Sequence, residues 1–317
     1  ATMRAATLIN AAASRTIEFD DVFGPAAYHP GTPTVSTAFS VADNLGANGL
    51  TFLHSIIIGY EISTRIAEAM GRSHYKFWHT TATNGSYGSF FSAGTLLKLD
   101  KEQFINGLGS AGTMAAGLQQ AFREDCHGKP VHGAHAAGVG LMAAQIAKQG
   151  VTGARAILDG PVGFGEAMSN DVDWMKSSES LGSIYNITNI TVKNHGCCGH
   201  SFPAIDAAIA IKKKYAITHE DIVSVKIGMA KPTVDICGGR SHQTFFEGQF
   251  SLIFTVATAF IKERVRLEAF TPQALVNPEV SALAQKCQVY VDKQVDEAFP
   301  LKRMAHLTVQ LRNNDVI

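Results

Sequence analysis

The sequence predicts a mainly α protein, with a large all-α helical domain followed by a smaller α+β domain. Three observations carry that expectation. Long apolar stretches with helical period, rich in Gly and Ala, run to about Tyr185. Short alternating or β-branched runs replace them from Ile187 onward. The chain has 317 residues, beyond the size at which one hydrophobic core keeps growing.

Taken in order, Ala5 to Ala13 reads as an apolar helix that Asp20 and Asp21 could terminate. Helical periods follow at Ser55 to Met70, Tyr87 to Lys98, Glu102 to Leu118 and Ala134 to Gln149, where small residues allow close helix approach. Strands are expected at Ile187 to Val192, Ile222 to Met229, Gln288 to Asp292 and Ala305 to Leu311, with helices at Ala204 to Tyr215 and Ser251 to Lys262. The change of period places a domain boundary at 187/188, giving domains 1–187 and 188–317. No repeat of fixed period and no low-complexity linker interrupts the pattern.

The chain opens at Ala1 inside a helix without an N-cap signal and closes on a strand running into a turn. Part of the helical domain before the start and a C-terminal return after the end are therefore expected to be missing.

Lys plus Arg and Asp plus Glu both number 27 without a long single-sign run, so neither nucleic acid nor a membrane surface is an expected partner. Charged residues make up only 17% against 46% hydrophobic, which points to apolar surface buried in a homodimer. Five cysteines, an odd number, fit reduced thiols and a cytoplasmic setting. No apolar run reaches the roughly 18 to 20 residues of a membrane span.

Five clusters put titratable groups beside Gly, Pro or a break in period: Glu18-Phe-Asp-Asp21, Tyr28-His-Pro-Gly31, Trp78-His-Thr-Thr81, Gly128-Lys-Pro-Val-His132 and Lys193-Asn-His-Gly-Cys-Cys-Gly-His200. Any one of them reads more simply as a helix cap or a solvated residue. Together, His and Lys with little competing acid suit a polyanionic substrate, because Lys neutralises carboxylates and His moves protons near neutrality. Removing a proton α to a carboxylate needs a base and a group that stabilises the enolate-like charge, and cationic side chains can supply the latter. Adjacent Cys197 and Cys198 cannot easily both ligate one tetrahedral zinc, so no metal and no cofactor is expected. Gly107-Leu-Gly-Ser-Ala-Gly112 fits a dinucleotide fingerprint only as a string, since it lies in a helical stretch with no preceding strand.

The order of these clusters resembles the MmgE/PrpD family, which includes 2-methylcitrate dehydratase, cis-aconitate decarboxylase and iminodisuccinate epimerase. The resemblance rests on Phe19-Asp-Asp with His29-Pro, Trp78-His79-Thr-Thr, Lys129-Pro-Val-His132, Lys193 with Cys197-Cys198-Gly-His200, Ala204-Ile-Asp206 and Gly248-Gln-Phe-Ser-Leu252. It implies a helical large domain, an α+β lid and a metal-independent site in the cleft between them. Carried over residue by residue, it implies His29 and His79 as proton-transfer groups, Asp20 and Asp21 as the acid pair, and Lys129 and Lys193 as substrate-facing lysines; His132 and His200, in the same clusters, are expected to bind substrate with them.

The implied activity is a metal-independent lyase of the 2-methylcitrate dehydratase type, acting on a small di- or tricarboxylic acid by α-proton abstraction and elimination of water. Alternatives are an epimerase or decarboxylase of a related acid, or a non-catalytic binding relative. Dehydration leads only as the family's commonest assigned activity. Glu18, Val22 and Phe254 stand where cis-aconitate decarboxylases tend to have Asp, Thr and Tyr, the loop before His29 is one residue longer, and His195-Gly196 replace a commoner aromatic-Pro pair. Loss of two hydroxyls disfavours cis-aconitate decarboxylation.

Overall fold

The computed structural model describes residues 1–122, 126, 128–299 and 301–317. The described chain is mainly helical, with one two-stranded and one three-stranded sheet, as the sequence predicts. It divides into two compact units: residues 1–16 with 20–192, and residues 17–19 with 193–317. Among the described residues no helix is long and apolar enough to cross a membrane.

The first unit is built on α1 (Met3–Thr16), α2 (Gly31–Leu45), α3 (Gly49–Ala69), α4 (Thr80–Leu96), α5 (Lys101–Met114) and α6 (Gly128–Lys148), with a short α7 (Phe164–Met168). Helix α4 is buried along nearly its whole length and packs against α2, α3, α5 and α6. Its small residues make this possible. A Cβ at Gly140 of α6 would stand 2.3 Å from the Ser89 Cβ and 2.4 Å from the Phe90 backbone nitrogen, so the two helices meet backbone to backbone. Around this contact Tyr87, Phe90, Leu141, Met70 and Val41 form the core.

Several boundaries differ from expectation for physical reasons. Helix α1 is capped after all, because the Thr2 hydroxyl accepts from the Ala5 nitrogen at 3.2 Å, and it ends at Thr16, before Asp20 and Asp21. Helix α2 was invisible to periodicity, with Pro33 and a run of Thr and Ser in its first turns. Proline is tolerated there because first-turn N–H groups have no helical partner. Helix α4 starts seven residues before Tyr87, since small polar residues, not apolar ones, fill its first two turns. The strand expected over 187–192 shrinks to β2 (Thr191–Val192), antiparallel to β1 (Asp21–Val22). The preceding Asn186–Asn189 is a 3₁₀ turn, whose Asn186 nitrogen donates to Glu61 at 2.8 Å. The GxGxxG string lies within α5, so no phosphate loop is formed.

The second unit carries α8 (Phe202–Tyr215), β3 (Ile222–Met229), the single turn α9 (Lys231–Thr233), α10 (Phe245–Phe250) and α11 (Leu252–Lys262). Short α12 (Pro272–Leu275) and α13 (Pro278–Ala284), β4 (Cys287–Val291), α14 (Lys293–Ala298) and β5 (His306–Leu311) complete it. Central strand β3 pairs parallel with β4 and antiparallel with β5. Val225 and Ile227 of β3 are fully buried, and α8 packs against α11 and β5.

Arg65 on α3 ties the segment after α7 to the helical core. It pairs with Glu61 at 2.6 Å and donates to the Glu179 and Ile184 carbonyls at 2.6 and 2.7 Å. Both charged side chains are buried, so removing one strands the other in a poorly solvated place. Arg65→Ala is expected to cost about 3–5 kcal/mol, read as a lower urea midpoint.

Candidate functional site

Three helices of the first unit start close together, and each brings a titratable side chain. His79 is the N-cap of α4, Lys129 and His132 lie in the first turns of α6, and His29 precedes α2 by two residues. The joints between them are direct. The His29 backbone N–H donates to Thr81 Oγ1 at 3.2 Å, and the Nδ1 atoms of His79 and His132 are 2.9 Å apart. His29, Lys129, His132 and Arg15 all act electrostatically on His79. Converging N-termini expose unsatisfied N–H groups and partial positive charge, a setting that favours anions.

His79 is held by its backbone as well. Its N–H donates to the Gly117 carbonyl at 2.9 Å, and the Gln119 N–H donates to the Phe77 carbonyl at 2.9 Å. Gly117 has φ +151° and sits so close to α4 that a Cβ would lie 2.3 Å from the Ala82 Cβ. Only glycine meets both demands.

The two adjacent aspartates have different surroundings. Asp20 Oδ2 accepts from Arg15 Nη1 at 2.6 Å and stands 3.0 Å from His29 Nδ1. Asp21 uses its backbone carbonyl on the same His29 Nδ1, at 2.7 Å, and its carboxylate on the Gly31 N–H at the start of α2, at 3.0 and 3.2 Å. A carbonyl can only accept, so His29 Nδ1 carries a proton and the neutral ring keeps its lone pair on Nε2. Burial, then the charge of Asp20, pushes the Asp21 carboxyl up to about 6, against the pull of hydrogen bonds from Tyr60 and Gly31.

Two further imidazoles of the cluster, His79 and His132, are held neutral. Burial, then Arg15, with smaller contributions from His132, Lys129 and His29, keeps His79 well below its ordinary value. Burial, then His135 and Arg15, pushes His132 down to about 4. In the pair between them one Nδ1 must donate and the other accept. His74, also pushed down to about 4 by burial, is a different case. It bridges the Met168 carbonyl at 3.1 Å and Thr83 Oγ1 at 2.8 Å, and so stitches α7 to α4.

The structure thus brings together six of the residues singled out in the sequence: Asp20, Asp21, His29, His79, Lys129 and His132. Lys193 and His200 belong to the second unit. Lys193 is buried and pairs with Glu18 at 2.5 Å; Glu18, itself buried, adopts φ 54°. His200 Nδ1 lies 3.2 Å from Thr233 Oγ1, beside Phe299. Gln249 of the Gly248–Leu252 string shapes this stretch, donating from Nε2 to the Gly196 carbonyl at 3.1 Å and accepting the Cys198 N–H on its own carbonyl at 2.9 Å. Asp206 stands 3.0 Å from His195 Nε2.

Sequence reasoning missed Arg15 and Tyr60. A signal for Arg15 existed: Thr7, Ala11 and Arg15 recur every four residues on the buried face of α1, which puts a charge where an apolar residue is expected. Tyr60, within an apolar helix, gave none.

A helical unit with a clustered His, Asp and Lys site, joined in one chain to a small α+β unit, defines the class. Residues 1–176 match the MmgE/PrpD N-terminal domain and residues 195–317 the MmgE/PrpD C-terminal domain, so the chain belongs to the MmgE/PrpD family. It is 25% identical to a cis-aconitate decarboxylase-like protein, oryM, of Aspergillus oryzae, over 93% of this chain and 66% of that protein. It is 24% identical to the cis-aconitate decarboxylase of Aspergillus terreus, over 92% and 64%, and 23% identical to that of Homo sapiens, over 90% and 60%. The chain therefore spans less than two thirds of the length of these relatives.

Asp21 has a consequence for stability. Its folded value of about 6 exceeds the ordinary 3.8, so the folded state binds the proton more tightly, and stability is lost as pH rises from 3.8 through 6. Asp21→Asn is expected to remove that loss, on the order of 1–3 kcal/mol, leaving a flatter urea midpoint across this range than in the wild type.

Proposed function

We propose that the chain is a metal-independent lyase acting on a small di- or tricarboxylic acid, with His29 as the base. The observation that carries this reading is the fixed tautomer of His29. The Asp21 carbonyl and the Asp20 carboxylate both take its Nδ1 side, so the neutral ring carries its lone pair on Nε2, the atom from which an imidazole acts as a base.

The chemistry follows from that placement. Nε2 removes a proton α to a carboxylate, and the C–H electron pair spreads into the carboxylate as an enediolate. Lys129 and the N-terminal dipoles of α2, α4 and α6 stabilise that charge. The electrons then form the C=C bond as the β-hydroxyl leaves as water, taking a proton from the neutral His79–His132 pair. The imidazolate left behind regains a proton as the His29 imidazolium releases the one it took from substrate to solvent. A neutral imidazole N–H is a suitable donor there, and the low values of both rings keep them neutral at physiological pH. The reading places the carboxylate contact on Lys129, which lies in the first turn of α6 and acts electrostatically on both His79 and His132.

Within this class we favour elimination of water of the 2-methylcitrate dehydratase type. The absence of hydroxyls at Val22 and Phe254 supports it, with Phe254 buried and stacked on His242. Decarboxylation is the second reading, favoured by the names of the relatives. There the C–C bond breaks, its electrons stay on carbon, and an acid, not a base, completes the step.

Deuterium exchange into citrate-like and succinate-like acids tests the proton transfer, and product analysis with 2-methylcitrate and cis-aconitate separates water loss from CO₂ release. His29→Ala and His79→Ala are each expected to lower turnover by roughly a hundred- to ten-thousand-fold. Near wild-type exchange in both variants would refute the assignment.

A further inference from the structure

We propose that Arg15 is a positioning residue for the reaction: by sharing Asp20 Oδ2 with His29, it keeps that carboxylate from drawing the imidazole into a permanent ion pair and so leaves His29 available as a base. This inference rests on the role of His29 above.

The geometry has three parts. Arg15 is fully buried at the last turn of α1, where a cation needs a compelling partner. Its Nη1 lies 2.6 Å from Asp20 Oδ2, and the same oxygen lies 3.0 Å from His29 Nδ1. Without the guanidinium, the negative charge of Asp20 would face His29 with its strongest neutraliser gone, and a carboxylate at that range favours imidazolium. The same guanidinium acts on His79 and His132, opposing charge on each. Arg15 thus favours the neutral form of three histidines from a position out of contact with solvent.

The surrounding charges do not duplicate this. Asp20 and Asp21 lie on the segment of His29 itself, Tyr60 comes from α3, His79 heads α4, and Lys129, His132 and His135 come from α6. Helix α2 carries only Asp43, in its last turn. Arg15 is the guanidinium on the Asp20 oxygen that also faces His29.

The test compares Arg15→Gln, Arg15→Lys and Asp20→Asn with the wild type. Two readouts are used: the pH profile of kcat/KM, and NMR titration of the histidine rings in the substrate-free protein. In Arg15→Gln the acid limb is expected to move up by about one pH unit or more, so that activity falls roughly tenfold further at about pH 6 than at about pH 8. The His29 ring should titrate higher by the same amount. Arg15→Lys should restore most of the wild-type profile, and Asp20→Asn should move the ring titration downward. The titration needs no substrate, so it stands even if the proposed reaction is wrong. A pH-independent loss of activity with unmoved histidine titrations would overturn the proposal. Should Arg15→Gln fail to fold, an unmoved His29 titration in Asp20→Asn overturns it equally.

Discussion

The backbone contact between α4 and α6 is the constraint on which the first unit depends. Gly140 against Ser89 and Phe90 brings the two helix axes together, so that α4, starting at Thr80, and α6, starting at Gly128, run side by side. His79 and His132 can share a 2.9 Å contact because of it. Larger residues along α4 would overpack this contact and push the helices apart.

Charge follows from that packing. Helix N-termini, Lys129 and Arg15 surround the imidazoles with positive potential, so His79 and His132 stay neutral while an anion is welcome among them. The two aspartates divide the labour. Asp20 answers Arg15 and His29, while Asp21 secures the start of α2 and orients the His29 ring through its carbonyl. Each carboxylate thus has a partner within the protein.

Much of this was legible in residue order. Asp20, Asp21, His29, His79, Lys129 and His132 could be singled out because each stands beside Gly, Pro or a break in the helical period, where side chains can be offered to a cleft. Helix α2 and the first half of α4 escaped, since helices buried by Ser, Thr and Gly leave no apolar stripe for periodicity to find. Arg15 escaped as well: at a helix end it reads as a solvated cation favoured by the dipole, and its spacing from Thr7 and Ala11 hints at burial without naming the partner it finds there.

The sequence by itself determined the class of fold, the change from helical to strand-bearing segments and the residue types able to bind a polyanion, because these depend on local period and local chemistry. Tertiary structure alone decided that Lys193 answers Glu18, that the carbonyl of Asp21 sets the tautomer of His29, and that Arg15 and His29 meet on one oxygen of Asp20. Those pairings are matters of distance and direction across a folded chain, and spacing along the polypeptide carries neither.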